Sequence, residues 1–144
     1  PLKIVCPSLK LTLIDGSRKK INFLKHTLRA LGCNDVQACQ TRAEHLVGKH
    51  DFVSAFDVIA GRALSSLDAF VKMALPMLAD EGLIIAWRGK VEQSEIHALQ
   101  SDVLDKMKGD QYRRRQYSLD LETYKLPKID AERSVLCIRI WAAK

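Results

Sequence analysis

The pattern of apolar and polar positions in Leu11–Leu31 organises the rest of the chain. Its first part, Leu11–Asp15, is an apolar run that ends on an acid and is typical of a buried strand. Ser17 can cap a helix here, because its hydroxyl can accept a hydrogen bond from a free first-turn N–H. The spacing i, i+3, i+7, i+10 then predicts one buried helix face, formed by Ile21, Leu24, Leu28 and Leu31. Gly32 is placed to end this helix.

Similar runs predict the remaining elements. A helix fragment is predicted at Pro1–Cys6, a turn at Thr41–Glu44 and another turn at Asp80–Gly82. Five further strands are predicted, at Asp35–Gln40, Phe56–Ala60, Leu83–Trp87, Gln111–Leu121 and Ser134–Ala142. Two further helices are predicted, one capped by Ser65 or Ser66 and one over Glu92–Lys108.

The order of these elements predicts an α/β fold in a single domain, residues 1–144. The early strands are apolar throughout and alternate with helices, so we expect a mostly parallel sheet that is covered on both faces. The last two strands are joined through Lys125–Lys128, which is too short for a crossover helix. They should therefore form a C-terminal antiparallel pair.

Composition narrows the class of protein. The formal charge of +6 and the pI of about 9.3 allow a polyanionic partner, of which nucleic acid is the commonest, but they also fit a merely basic enzyme. No apolar run approaches the roughly 20 residues that span a bilayer, so no membrane association is expected. The four cysteines form no CxxC pair, which favours reduced, mostly buried thiols in a cytoplasmic protein. The histidines lack ligand spacing, so no metal is predicted.

Several polar positions could carry function. Asp15 follows a strand, where an acid can hold the two ribose hydroxyls of a nucleotide cofactor; the alternative is a capping or solvated carboxylate. Arg62 follows the strand Phe56–Ala60, at the edge where open α/β sheets bind ligands. The basic stretch Tyr112–Tyr117 could contact RNA, but a solvated edge strand is favoured. A second basic face is likewise interpreted as solvated, and it consists of Arg18, Lys19, Lys20 and Lys25.

Together, six stretches resemble one family in order and spacing. They are Pro1–Pro7, Leu13–Asp15 with Lys19–Leu24, Arg42–Glu44, Arg62–Leu67, Ala86–Lys90 and Glu132–Leu136. The family is that of the bacterial 16S ribosomal RNA 7-methylguanosine methyltransferases, also called the glucose-inhibited division protein B family. The resemblance covers nearly the whole chain. It implies the Rossmann-like sheet of class I methyltransferases.

The resemblance also implies a reaction and its residues. The expected activity is transfer of methyl from S-adenosyl-L-methionine to N7 of a guanine in 16S ribosomal RNA, by a cytoplasmic monomer acting on this RNA or on the small ribosomal subunit. Asp15 would meet the cofactor ribose, Ala43 and Glu44 would border the adenine, and Arg62 would act in catalysis and cofactor binding. Arg88 and Lys90 would contact RNA. Gly16, Gly61 and Arg88 depart from the residues usual in the family.

The same resemblance implies that the family's first strand and glycine-rich loop lie upstream of Pro1. That strand would lie between Leu11–Asp15 and Phe56–Ala60, so both should have an unpaired edge here. The 144-residue chain alone is then expected to bind the cofactor poorly, and adding the upstream segment should restore binding and methyl transfer.

Two alternatives stay open from the sequence. One is another Rossmann-like enzyme, such as a nicotinamide dehydrogenase, which Asp15 would suit equally. The other is a basic fragment that binds RNA without catalysis.

Overall fold

The computed structural model describes residues 1–62, 66–108, 115–128 and 131–143. The chain divides into two compact units, Pro1–Leu46 and Val47–Lys144. Within the described residues, no helix is long and apolar enough to cross a membrane.

The first unit is a strand–helix–strand element with short additions. It contains the helix α1 (Leu2–Val5), the strand β1 (Leu11–Asp15), the helix α2 (Arg18–Ala30), the strand β2 (Val36–Gln40) and a 3₁₀ turn (Ala43–His45). β1 and β2 pair in parallel, from Leu11 opposite Val36 to Asp15 opposite Gln40. α2 packs on both strands through its apolar side, where Ile21 is buried. The predicted strand–helix–strand order is confirmed in this unit.

Both ends of α2 form as the sequence predicts. The Ser17 hydroxyl oxygen accepts a hydrogen bond from the Lys20 backbone N–H at 3.4 Å. At the other end Gly32 has a φ of +67°, a conformation that costs glycine little. The Cys33 N–H donates to the Leu28 carbonyl, which closes the helix.

Replacing Ser17 by alanine should lower the free energy of unfolding by about 0.5–1 kcal/mol, because the first turn of α2 loses its side-chain acceptor. The small value follows from the long hydrogen bond. Urea unfolding followed by circular dichroism measures the change. Ser8→Ala, at an exposed position outside any helix or strand, is the matched control. Equal midpoints for both variants would contradict the capping role.

The second unit contains a four-stranded sheet with its helices. Its elements are a 3₁₀ turn (His50–Phe52), β3 (Phe56–Arg62), α3 (Leu67–Ala74), a 3₁₀ turn (Leu75–Met77), β4 (Leu78–Arg88), α4 (Gln93–Leu99), β5 (Arg115–Lys125) and β6 (Glu132–Ala142). The strand order is β3-β4-β6-β5. β3 and β4 are parallel, whereas β6 is antiparallel to both β4 and β5. The predicted C-terminal antiparallel pair is therefore confirmed.

The core of this unit lies on one face of the sheet. Alternate residues of β4 and β6 are fully or almost fully buried there: Ile84, Ala86, Leu136, Ile138 and Ile140. Apolar residues of α3, of α4 and of the turns that follow α4 pack against them. The opposite face of β4 carries Leu83, Ile85 and Trp87, which are half-buried. This alternation fixes which side chains of each strand can meet the helices.

The predicted turn at Asp80–Gly82 is wrong, because β4 runs through these residues. Phe56 pairs with Leu78, and Val58 pairs with Leu83. Between these two pairs the chain advances by two residues in β3 and by five residues in β4, so β4 contains three extra residues. The extra residues form an irregularity of the bulge type, which strands accommodate without a chain reversal. A local polar sequence with a glycine predicts a turn, and only the neighbouring strand shows that the chain continues in the same direction.

Two other predictions need adjustment. The helical segment predicted at Glu92–Lys108 is present, but after α4 it continues as a π turn (Gln100–Leu104) and a 3₁₀ turn (Asp105–Lys108).

The cysteines are free thiols, yet none is fully buried, and Cys6 is exposed. The predicted cap Ser65 and the residues 111–114 lie outside the described residues.

The two sheets have an open side each among the described residues. β1 pairs with β2 alone, and β3 pairs with β4 alone. Both strands predicted to have an unpaired edge are therefore edge strands.

Candidate functional site

Asp15 is the last residue of β1, and its carboxylate is held by two donors. The Ser17 backbone N–H donates to Oδ1 at 2.8 Å, in an Asx-turn arrangement. The Lys20 ammonium donates to Oδ2 at 3.2 Å. These bonds, first the one from Ser17 and then the one from Lys20, hold the pKa of Asp15 below its usual 3.8. The carboxylate is therefore ionised and fixed in orientation at neutral pH.

The Asp15 carboxylate keeps capacity for a ligand. The side chain is 30% exposed, and each oxygen accepts one of the two hydrogen bonds described. A carboxylate offers about four lone-pair directions, so two acceptor positions remain for a pair of neighbouring hydroxyls. The donor set thus fits the ribose of a nucleotide cofactor, in the place where α/β folds hold one.

The turn after β2 emerges beside Asp15. The Thr41 N–H donates to the Asp15 carbonyl oxygen at 3.2 Å. A Cβ placed on Gly16 would lie 3.4 Å from Cγ of Arg42, so the two connections are in van der Waals range. The chain then enters the 3₁₀ turn with Ala43 partly exposed and Glu44 exposed. The structure therefore brings Asp15, Ala43 and Glu44 to the same end of the first unit, as the sequence predicts.

Arg62 ends β3 in the second unit and is exposed. It pairs across the strands with Trp87, so both side chains leave the same face of the sheet. Its guanidinium makes no hydrogen bond or ion pair within the described part of the chain. Arg62 is therefore available for an anionic ligand, and its assigned role stays a prediction.

Arg88 and Lys90 are held by local carboxylates. Arg88 follows Trp87 on β4 and points to the opposite face from Arg62, where its Nη2 lies 3.1 Å from Oε1 of Glu95. Lys90 Nζ lies 2.9 Å from Oε1 of Glu92, and this bond raises the pKa of Lys90 above 10.5. Both cations would have to leave these carboxylates, or share them, to contact RNA, and their role also stays a prediction.

Sequence reasoning missed the pairing of Lys20 with Asp15. The signal is available in hindsight: an acid two residues before a capping serine places a lysine in the first turn of the helix within reach. It also missed the partner of Arg115, whose Nη2 lies 2.9 Å from Oδ1 of Asp80. Residues 80 and 115 are far apart in sequence, so no local pattern predicts that pair. The described residues contain no cluster of His, Cys, Asp and Glu suited to a metal ion.

The fold is similar to that of several solved structures. TYW2 from P. horikoshii in complex with MeSAdo matches 98% of this chain and 52% of its own, with a TM-score of 0.70 and 13% identity. TYW2 from M. jannaschii in complex with AdoMet matches 93% of this chain and 59% of its own, with a TM-score of 0.64 and 10% identity. An rRNA methylase from Streptococcus thermophilus matches 92% and 74%, with a TM-score of 0.59 and 17% identity. The chain thus has the Rossmann-like class I methyltransferase fold.

Sequence comparison identifies the family. Residues 1–115 match the family model of the rRNA small subunit methyltransferase G, and the chain belongs to this family. The resemblance found in the sequence is thereby confirmed. The chain is 33% identical over 138 residues to the Ribosomal RNA small subunit methyltransferase G of a Bacillus cereus strain, covering 96% of this chain and 54% of that protein. The chain spans about half the length of the curated relatives it matches.

Proposed function

We propose that the protein that carries this chain transfers a methyl group from S-adenosylmethionine to N7 of a guanine in 16S ribosomal RNA. The observation that carries the proposal is the held carboxylate of Asp15 at the end of β1, in a chain of the rRNA small subunit methyltransferase G family. The substrate is the RNA itself or the small ribosomal subunit, which places the protein in the cytoplasm, where we propose that it acts as a monomer.

Asp15 and the turn after β2 are proposed to hold the adenosine part of the cofactor. The free lone pairs of Asp15 would accept the two ribose hydroxyls, and Ala43 and Glu44 would border the adenine. The two TYW2 structures support this, because they contain AdoMet or MeSAdo in a similar fold. Glu44 has no partner among the described residues, so its carboxylate is free to accept from an adenine amino group.

The proposed reaction needs no general base from the protein. When bound, S-adenosylmethionine supplies an electrophilic methyl group on its sulfonium sulfur. Guanine N7 has a free lone pair and carries no proton, so no side chain has to act as a general base. The residues of this chain would instead contribute orientation and charge, which can account for a large share of a rate enhancement.

Arg62 is proposed to bind an anionic group at the reacting end, either the methionine carboxylate or an RNA phosphate. Its planar fork suits both, since it can donate two parallel hydrogen bonds to paired oxygens. Arg88 and Lys90 are proposed to contact RNA, in exchange with Glu95 and Glu92.

The proposed function is tested by methyl transfer from labelled S-adenosylmethionine to 16S ribosomal RNA and to small subunits, followed by nuclease digestion and mass spectrometry. We expect 7-methylguanosine as the product. Label in another nucleoside would overturn the guanine N7 assignment. Binding of NAD in preference to S-adenosylmethionine would favour the dehydrogenase alternative, and RNA binding without any transfer would favour the inactive fragment.

Replacing Arg62 by alanine should slow methyl transfer about tenfold and leave the melting temperature within about 2 °C of the parent, because the side chain is exposed and has no partner among the described residues. Single-turnover kinetics and thermal melts of the complete protein measure both. Arg139→Ala removes an exposed arginine from β6 of the same sheet and serves as the control. A melting temperature that falls in step with the rate would mark Arg62 as structural.

A further inference from the structure

The positive charge of this protein is concentrated in its first unit. Residues 1–46 contain eight Lys and Arg against three Asp and Glu, a net charge of +5. The other 98 residues contain fifteen against fourteen, a net charge of +1. The excess of +6 is thus almost entirely a property of the smaller unit.

Within that unit the charge lies mainly on α2. The stretch from Gly16 to Asn34 contains five cations and no acid. Lys20 is bonded to Asp15, but the other four are exposed and have no ion pair among the described residues; they are Arg18, Lys19, Lys25 and Arg29. This contrasts with Lys72, Arg88, Lys90 and Arg115 in the second unit, each of which lies against a carboxylate.

Three of the free cations point the same way. At 3.6 residues per turn, Arg18, Lys25 and Arg29 fall within about 40° of each other around the helix, and this α2 cation face is about 16 Å long. The apolar side of α2, which carries Ile21 and Leu24 toward the strands, is turned about 90° from it. The cation face therefore borders the buried side and opens to solvent along the length of the helix.

Two further features of α2 favour RNA as the partner of this face. Lys25 and Arg29 are spaced i, i+4, where like charges repel and destabilise a helix. A row of phosphates beside the helix would offset this repulsion. Binding would also be favoured by the release of the counterions condensed on the RNA. Farther around the exposed half of the helix lie Lys19 and, one turn on, Phe23, which is 66% exposed. The Phe23 ring offers a surface on which an unpaired base can stack.

Phosphates and unstacked bases are accessible together in single-stranded or loop RNA. An RNA strand could place its phosphates along the cation face and its bases across the exposed half of α2. It would then contact both the cations and Phe23. A regular duplex would present its phosphates but keep its bases stacked inside. The combination of features on α2 therefore favours unpaired RNA.

We propose that the α2 cation face, made of Arg18, Lys25 and Arg29, docks the phosphate backbone of RNA beside the candidate cofactor end of the first unit. The face begins three residues after Asp15. An RNA strand bound along α2 would therefore lead to the end of the unit where the Asp15 carboxylate lies. The inference rests on the proposed function for its partner, and it names the surface that the partner contacts. For Arg18 and Lys25, it replaces the interpretation of the basic residues of α2 as merely solvated.

The test compares two triple variants of the 144-residue chain. Arg18→Gln/Lys25→Gln/Arg29→Gln neutralises the face, and Lys49→Gln/Lys106→Gln/Arg139→Gln removes the same charge from exposed positions of the second unit. Fluorescence anisotropy measures the binding of a labelled RNA of about 20 nucleotides, several times the length of the face, and of a 16S ribosomal RNA transcript over a range of KCl concentrations. Circular dichroism checks that both variants keep their helix content.

We expect the α2 variant to bind both RNAs about tenfold more weakly and to lower the slope of log affinity against log salt by about 2, since each phosphate contact to a single strand contributes about 0.7. The control variant should stay within about twofold of the parent in affinity. Phe23→Leu should weaken binding about fivefold with an unchanged slope, since stacking is not ionic.

Equal losses in the two triple variants, or no RNA binding by the parent chain, would overturn the proposal. A basic helix with an exposed ring could also lie on an anionic membrane. Vesicles of phosphatidylglycerol and phosphatidylcholine are therefore included, and binding to them in preference to RNA would overturn it in favour of that surface. The cofactor affinity of the complete protein is measured separately. Its absence there would count against the proposed function, whereas an unchanged RNA affinity in the α2 variant counts against the docking face alone.

Discussion

Replacing Asp15 by alanine in the complete protein is expected to weaken S-adenosylmethionine binding about 10- to 100-fold. The variant would leave two ribose hydroxyls without their charged acceptor, and it would release Lys20 into the space that the carboxylate holds. Isothermal titration calorimetry with S-adenosylmethionine and S-adenosylhomocysteine measures the loss. Asp15→Asn should lose less, because its amide oxygen can still accept the Ser17 N–H.

The control for this prediction is Asp35→Ala. Asp35 precedes β2 and lies 2.6 Å from Lys3 Nζ, at the opposite end of the parallel pair from Asp15. Lys3 also donates to the Pro7 and Leu9 carbonyls. The Asp35 carboxylate therefore helps to hold α1 in place and is not a ligand-binding group. Asp35→Ala should lower stability and leave cofactor affinity unchanged. Unchanged affinity for both Asp15→Ala and Glu44→Ala would remove the adenosine assignment.

The pKa of Asp15 sets the pH range of this effect. Because the pKa of the carboxyl lies below 3.8, the charged acceptor is present throughout neutral pH and is lost only as the pH falls through that lowered value. The affinity of the parent protein should therefore be flat between about pH 5 and pH 8 as far as Asp15 contributes. A fall in affinity at about pH 6 would indicate that the titration of a histidine, rather than of Asp15, controls binding.

Replacing Gly82 by alanine is expected to destabilise the second unit by about 3 kcal/mol and to lower its melting temperature by about 10 °C. A Cβ at this position would collide with Cγ of Leu78, and both Cδ atoms would lie within 2.9 Å of it. Leu78 is completely buried, so its side chain cannot swing away. Thermal unfolding followed by circular dichroism and urea titration measure the loss.

Gly89→Ala is the matched control for Gly82→Ala. Gly89 follows β4, is exposed, and would have nothing within 4 Å of an added Cβ. The φ of neither glycine is positive, so the two substitutions differ in contact rather than in backbone strain. Gly89→Ala should stay within about 0.5 kcal/mol of the parent. A similarly small change for Gly82→Ala would show that the irregular part of β4 can open.

Much of the fold could be predicted from the sequence because its signals are local. β1 was predicted at its observed bounds, and the cap at Ser17 and the stop at Gly32 lie within a few residues of the groups they satisfy. The last two strands were predicted as an antiparallel pair from the length of their connection alone. The candidate site followed in part: Asp15 ends a strand, and the turn at Ala43 and Glu44 follows its parallel neighbour, so a shared edge brings them together.

The sequence by itself determined most helices and strands of this protein and the family it belongs to. It also placed Asp15 and Arg62 at strand ends and Ala43 and Glu44 in the turn after β2. It could do so because periodicity, caps and motif spacing lie within short stretches. Only the tertiary structure decided that β6 lies between β4 and β5, that the chain continues through Asp80–Gly82, and that Arg88 and Arg115 are held by carboxylates. Most of these outcomes depend on partners far away in the chain. Their free energy arises from packing and charge pairing between elements, which no local pattern of residues records.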